Sequence, residues 1–301
     1  MAKRLGLIGL GNIGVHFATR LVAAGHDLAV YDRNPDATAR IVALGATAAQ
    51  SARALADEVD TVLLCLPLPA VVASVVDEIA EGAALRTVVD LSTTGPSVTR
   101  DVAAILAGRG VAFLGAPVSG GTEAARNGTL AIMPAGPEET FRQIEPFLRV
   151  LGKNIFYLGE DHSLGQTMKI INNTLYATAM VASFEALVYG VKAGLDAKSM
   201  LDVINASSGR SFATMERIPQ CVLDRSFPLR FTTELLHKDV KLCLDEAEKT
   251  GAVMHVTEAA RKFYAFAIMQ GDGPKDNAYP IRHFEAWAGV EFGSAAEQPA
   301  G

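Results

Sequence analysis

A chain of 301 residues, half of them hydrophobic, is long enough for two domains and a sizeable core. Its formal net charge of -6 and the lack of any basic run argue against nucleic acid or an anionic membrane as the main partner. Three widely spaced cysteines (Cys65, Cys221 and Cys243) read as reduced core thiols of a cytoplasmic protein, and six histidines without HxH or HExxH spacing give a metal site no support.

The first element is a short apolar run at 3–9, KRLGLIG, suited to a buried strand. It runs into Gly9-Leu10-Gly11-Asn12-Ile13-Gly14, then into a helical pattern through Phe17, Leu21 and Val22 that stops at Gly25. A second strand, 27–31, ends at Asp32, 18 positions after the last glycine of the loop. A bare GxGxxG is weak evidence. Between a strand and a helix, with an acidic residue closing the next strand, it predicts a dinucleotide site. The glycines allow a tight turn and bring backbone amides to a pyrophosphate at the helix N-terminus, and Asp32 accepts hydrogen bonds from the ribose hydroxyls. A carboxylate there repels a 2′-phosphate, so NAD is expected over NADP. Arg33 beside it could stack on the adenine or meet a phosphate, which keeps NADP open.

Strand-like runs continue at 60–66, 86–91, 111–114, 129–134 and 154–158, most of them separated by helical segments. That alternation predicts an α/β fold with a mainly parallel, doubly wound sheet of Rossmann type. Several strands end in Pro67-Leu68-Pro69, Ser92-Thr93-Thr94-Gly95-Pro96 and Ala116-Pro117-Val118-Ser119-Gly120-Gly121. Ligands of open α/β sheets sit beyond the carboxyl ends of the strands, so these loops, with Leu66 and Pro67 at the first, are expected to border the cleft of the glycine loop. The N-terminal apolar run meets glycines too early for a signal-peptide core.

From Ser163 to Ala193 the chain reads as one long helix, and beyond it the pattern is helical at 196–207, 213–223, 232–250 and 254–270. The expected organisation is a nucleotide-binding domain over 1–162, an interdomain helix over 163–193 and an all-helical domain over 194–301, with a frayed small polar tail from Ser294. Glu185 and Lys192 inside the apolar stretch favour a buried helix over a membrane span. Lys169 and Asn173 lie four apart and share one face of that helix. A lone lysine among Met168, Ile170 and Ile171 more often snorkels to water, so its neighbours decide its meaning.

Five motifs stand in order: GLGNIG at 9–14, DLST at 90–93, APVSGG at 116–121, GQTMKIINN at 165–173 and HKD at 237–239. Together they resemble the β-hydroxyacid dehydrogenase family, which includes 3-hydroxyisobutyrate dehydrogenases, tartronate semialdehyde reductases and the larger 6-phosphogluconate dehydrogenases. The resemblance implies NAD(P)-dependent oxidation of a hydroxyl β to a carboxylate, or the reverse reduction. It also implies that Lys169 is the catalytic lysine and Asn173 its partner, and that Ser119, Gly120 and Gly121 hold the substrate carboxylate. By the same match Thr93 lies near the nicotinamide ribose and Lys238, followed by Asp239, reaches the cofactor. A lysine shielded from water near a positive nicotinamide should have a lowered pKa and serve as base. Spacing alone would make Lys238 and Asp239 an exposed charge pair.

Where the family often has DAPVSGG this chain has Gly115, leaving the local hydrogen bonding open. Glu123, Arg126, Arg210 and Phe212 are candidates for shaping specificity, each with an ordinary surface or turn reading beside it. The rival readings are an imine reductase of the same architecture, against which Lys169 speaks, and a cofactor-binding protein without catalysis. The expected partner is a small β-hydroxy acid, with no nucleic acid and no membrane, and a homodimer or homotetramer is expected from the apolar helical domain.

Overall fold

The computed structural model describes residues 4–293, and the chain divides into two compact units, Met1–Ile170 and Ile171–Gly301. The tail from Ser294, expected to be frayed, lies outside the described residues.

In the first unit β1 (Leu5–Ile8), α1 (Gly14–Ala23), β2 (Leu28–Tyr31), α2 (Pro35–Val42), β3 (Thr47–Ala48), α3 (Ala52–Glu58), β4 (Thr61–Leu64), α4 (Pro69–Ile79), β5 (Thr87–Asp90), α5 (Pro96–Ala107) and β6 (Ala112–Gly115) alternate. The strands form one parallel sheet in the order β3-β2-β1-β4-β5-β6. Strands β1, β4 and β5 are buried along their whole length, and successive side chains enter different cores. Leu63 and Val89 pack with Phe17, Leu21 and Ile144, whereas Val62, Leu64 and Val88 pack with Leu55, Val76 and Val102. Such double burial is why these strands read as continuous apolar runs rather than alternating ones. Helix starts carry local signals: Asn34 and Ser51 accept from the amides of Asp36 and Ala54 at 3.0 Å, and Pro35, Pro69 and Pro96 open α2, α4 and α5.

The runs expected at 129–134 and 154–158 do not extend this sheet. They belong, with a two-residue strand absent from the expectation, to a second sheet β7-β8-β9 formed by β7 (Val118–Ser119), β8 (Leu130–Ile132) and β9 (Gly152–Ile155). In it β7 pairs antiparallel and β9 parallel to β8. Helices α6 (Gly121–Asn127) and α7 (Glu138–Leu151) connect these strands, and an antiparallel bridge between Gly115 and Ala135 joins the end of β6 to the segment after β8.

Helix α8 (Ser163–Lys192) is about 45 Å long at about 1.5 Å per residue. It begins where Asp161 Oδ1 accepts from the Ser163 amide (2.9 Å) and hydroxyl (2.7 Å), bonds that hold the Asp161 pKa below its usual range. Among the described residues it is the helix whose length and apolar composition alone would suit a membrane span, yet its buried residues include Gln166, Lys169 and Asn173.

Among its described residues the second unit is built of helices: the remainder of α8, then α9 (Ala197–Ala206), α10 (Ile218–Cys221) after a π-helical turn at Ala213–Arg217, α11 (Thr233–Thr250), α12 (His255–Ala267) and α13 (Ile281–Ala288). Met180, Phe184 and Leu187 of α8 pack with Leu201, Ile218 and Ile281, while Ala177 and Val181 pack with Leu236, Val240 and Tyr264. Helix α13 was not expected from the sequence; Pro280 precedes it and Gly289 ends it in a left-handed turn.

Candidate active site

The glycine loop is shaped by what surrounds it. Gly9 has φ 98°, and a Cβ there would lie 2.2 Å from the Cys65 carbonyl oxygen; a Cβ at Gly14 would lie 2.0 Å from the Gly9 carbonyl oxygen. The outer glycines are therefore required by the chain's own close approaches. A Cβ at Gly11 would meet no atom beyond its chain neighbours within 4 Å, and Gly11 and Asn12 are exposed. Helix α1 starts with Ile13 at its cap, no side chain bonded to its first amides and no acidic residue in its first turn. Open space over backbone donors at a positive helix end suits an anionic diphosphate. Asp32 completes this corner: Oδ2 accepts from the Leu10 amide at 2.6 Å and Oδ1 from the Asn34 amide at 2.7 Å. The carboxylate that closes β2 thus also fixes the loop that follows β1, and Arg33 beside it is exposed. These residues fit a dinucleotide. Burial pushes the nearby Cys65 thiol up to about 12, with the Asp90 carboxylate adding to the effect. Burial, and then the charge of Arg126, lower the pKa of His16 in the first turn of α1.

The loop after β5 is held by a buried polar network. Asp90 accepts from the Ser92 amide at 3.0 Å and the Thr94 hydroxyl at 3.2 Å, and the Ser92 hydroxyl accepts from the Leu66 amide at 2.9 Å. That last bond ties the loops after β4 and β5, so Leu66 is fixed while Pro67 beside it is exposed. Gln166, fully buried in the first turn of α8, accepts from the Thr94 amide at 3.0 Å and the Gly95 amide at 3.3 Å and donates to the Ser92 carbonyl at 2.9 Å. Ser92 and Thr94 are pinned on either side, leaving Thr93 between them half-buried. Gln166 lies inside the motif at 165–173 with no mark of its own in the sequence beyond being a polar amide that opens an apolar helix. Gln166→Ala would leave two buried amides and a carbonyl without these partners, at about 1–3 kcal/mol for each group left unsatisfied. The expected result is a lowered denaturation midpoint together with turnover reduced roughly 10²-fold by loop displacement, read from equilibrium unfolding and steady-state rates.

The third loop departs from β6 at Gly115. A Cβ there would lie 2.8 Å from the His162 carbonyl oxygen, so no side chain fits, which accounts for the glycine where an aspartate was the family expectation. Ser119 lies half-buried on β7, and Gly120 (φ 134°) and Gly121 (φ 70°) turn the chain into α6 with both residues exposed. A Cβ on Gly120 would lie 2.6 Å from the Ala124 Cβ, so this turn also depends on glycine. Glu123 and Arg126, weighed as specificity residues, are exposed on α6.

Helix α8 seats closely on this framework because a Cβ at Gly165 would lie 2.2 Å from the Met133 carbonyl oxygen. Lys169 follows Gln166 by three residues and so shares its face of the helix; only 8% of its surface is exposed. A snorkelling lysine would show more. In the second unit Asn173, also buried, donates from Nδ2 to Oδ2 of Asp239 at 2.6 Å. Oδ1 of Asp239 lies 3.0 Å from the Lys238 ammonium. Asp239 is 2% exposed, so the exposed charge pair that spacing alone would favour is not what forms. One turn beyond Asn173, Tyr176 meets the exposed Phe212 edge-on with ring centroids 5.7 Å apart, and burial raises the Tyr176 pKa against the opposing charge of Arg217. Arg210 is exposed.

The first unit thus gathers the glycine loop, Asp32, Leu66 and Thr93 at the carboxyl ends of adjacent strands β2, β1, β4 and β5, with β1 and β4 neighbours where the strand order reverses, the usual ligand position in such sheets. The second unit gathers Asn173, Lys238 and Asp239. Among the described residues no group of three His, Cys, Asp or Glu side chains could hold a metal ion.

Comparison with known proteins matches the chain to two family models. Residues 4–159 match the model of the NAD binding domain of 6-phosphogluconate dehydrogenase, and residues 163–284 that of the NAD-binding region of NADP-dependent 3-hydroxyisobutyrate dehydrogenase. The chain is 33% identical to 2-(hydroxymethyl)glutarate dehydrogenase of Eubacterium barkeri, covering 95% of this chain and 96% of the relative. It is 36% identical to a probable mitochondrial 3-hydroxyisobutyrate dehydrogenase of Dictyostelium discoideum, covering 91% and 88%. The structure of Mycobacterium tuberculosis 3-hydroxyisobutyrate dehydrogenase with L-serine superposes with a TM-score of 0.87 at 32% identity, over 94% of this chain and 99% of that one. An imine reductase from Pseudomonas sp. is more distant, at 18% identity over 94% of this chain and all of that one; its TM-score of 0.63 shows the shared fold alone.

Proposed function

The chain belongs to the β-hydroxyacid dehydrogenase family of NAD(P)-dependent oxidoreductases, and from that premise we propose that it interconverts a short β-hydroxy acid and its aldehyde or ketone with Lys169 as general acid and base. The observation that carries the proposal is the burial of Lys169 one turn after Gln166, the residue that grips the loop bearing Thr93. A lysine nitrogen shielded from water beside a reacting hydroxyl can exchange a proton with it.

In this reading Gly9 to Gly14 and Asp32 hold the dinucleotide, with Leu66, Pro67, Thr93 and Arg33 bordering it and Lys238 assigned to it by its motif. The bound coenzyme supplies the hydride acceptor or donor. Ser119 and the Gly120 and Gly121 amides hold the substrate carboxylate, and the fixed turn geometry of the two glycines orients those donors. Lys169 Nζ takes the hydroxyl proton as the C–H bond breaks, and the O–H electron pair becomes the second bond of the carbonyl. In reduction the same nitrogen returns the proton to the forming alkoxide. Asn173, on the same helix face and held by Asp239, orients the hydroxyl or carboxylate.

Asp32 supports NAD over NADP, since its carboxylate is fixed by two amides where a 2′-phosphate would be repelled. The expected kcat/KM is at least about tenfold higher with NAD than with NADP, and Asp32→Ser is expected to narrow that ratio. A cytoplasmic homodimer or homotetramer completes the reading, with a nucleotide-binding domain over 1–162, a connecting helix over 163–193 and a helical domain over 194–301. The experiment that tests it is a panel of 3-hydroxyisobutyrate, L-serine, tartronate semialdehyde and sugar acids assayed with both coenzymes. Turnover confined to short β-hydroxy acids or their carbonyl forms is expected. Turnover of cyclic imines alone would contradict it.

A further inference from the structure

Helix α1 opens at the dinucleotide loop and helix α6 opens at the Ser119–Gly121 loop, so any tie between the two helices also ties the two loops. Arg20, half-buried on α1, is such a tie. Its Nε donates to the Val150 carbonyl at 2.7 Å and its Nη1 to the Arg126 carbonyl at 3.3 Å. Both acceptors lie in the last turns of their helices, α7 and α6, where carbonyls have no intrahelical amide and the helix end is negative. One cation therefore serves two helix C-termini at once.

The room for that cation is built into the chain. Gly128, which ends α6 in a left-handed conformation at φ 68°, has its missing Cβ position 2.1 Å from Arg20 Nη2. Any side chain at 128 would displace the guanidinium. Helix α6 also needs an anchor: it is seven residues long and buries one side chain, Ala125. An element with so little core burial is held by its polar ties, and its register decides where the Gly120 and Gly121 amides point.

We propose that Arg20 is a positioning residue for the substrate, acting through α6 on the loop that receives the carboxylate. This rests on the reading of Ser119, Gly120 and Gly121 as that loop. The bonds of Arg20 run to the Val150 and Arg126 carbonyls, while the dinucleotide loop is fixed separately through Asp32, so its removal should act on the substrate KM and leave the coenzyme site intact.

The test compares Arg20→Ala, Arg20→Met (which keeps the aliphatic stem and loses the donors), Arg20→Lys and Ser119→Ala. Steady-state constants are measured for L-serine and 3-hydroxyisobutyrate, with coenzyme affinity by fluorescence titration and Tm by thermal melting. Arg20→Ala and Arg20→Met are expected to raise the substrate KM about tenfold with kcat and coenzyme Kd within about twofold, and Arg20→Lys to recover part of the loss. A merely structural role would lower Tm and kcat and leave KM unchanged. An unchanged KM in Arg20→Met beside a raised KM in Ser119→Ala overturns the role of Arg20. An unchanged KM in Ser119→Ala overturns the carboxylate loop and the inference with it.

Discussion

Lys169→Ala is expected to lower turnover roughly 10²–10⁴-fold, the range that a positioned acid–base group supplies, while coenzyme affinity stays within about twofold. The separation follows from where the parts sit. The glycine loop and Asp32 are organised by their own backbone contacts, among them the bond from the Leu10 amide to Asp32 at 2.6 Å, and none of these bonds involves Lys169. Lys169 contributes instead a single titratable nitrogen on a buried helix face. On the proposed mechanism, removing it deletes the proton acceptor, and its neighbours on that face, Gln166 and Asn173, are amides that cannot replace it. Stopped-flow coenzyme absorbance separates the slow chemical step from intact binding. Lys169→Arg should not rescue the rate, because guanidinium stays protonated and cannot accept the proton.

The second large effect is expected at Asp239. Its carboxylate is 2% exposed, accepts from Asn173 at 2.6 Å and lies 3.0 Å from the Lys238 ammonium. Breaking a buried, hydrogen-bonded ion pair by deleting one partner typically costs about 3–5 kcal/mol. Asp239→Ala should therefore lower Tm by on the order of 10 °C and reduce kcat as Asn173 loses its orienting acceptor. Asp239→Asn keeps the shape and an acceptor oxygen, so most of the Tm loss should be recovered while the rate remains reduced. Asn173→Ala combined with Asp239→Ala should be clearly less than additive in kcat, the signature of one shared contact. Additive losses would separate the two residues.

Much of this molecule was legible in the sequence because the signals are local. The glycine loop, the acidic residue closing β2 and the strand-end prolines and glycines are each marked by residues close in sequence, even where their contacts reach farther along the chain, and all lie at the ends of strands in the first unit. The second sheet was not legible. Its strands β7, β8 and β9 span two to four residues, too few for periodicity to tell them from members of the main sheet. Gln166 and Arg20 were missed for a different reason. Their partners lie about 70 and over 100 residues away, so nothing near either residue marks it. Asp239 was misweighed because spacing records adjacency to Lys238 but not burial against Asn173.

The most direct test of the central claim is the fate of the substrate hydrogen. The wild-type enzyme is given L-serine or 3-hydroxyisobutyrate deuterated at the carbon bearing the hydroxyl, with NAD, and the reduced coenzyme is analysed by mass spectrometry beside a parallel reaction of Lys169→Ala. Deuterium on the wild-type coenzyme, and its near absence over the same time in the variant, is the predicted result. Reduced coenzyme without deuterium, or equal labelling in the variant, would contradict hydride transfer assisted by Lys169.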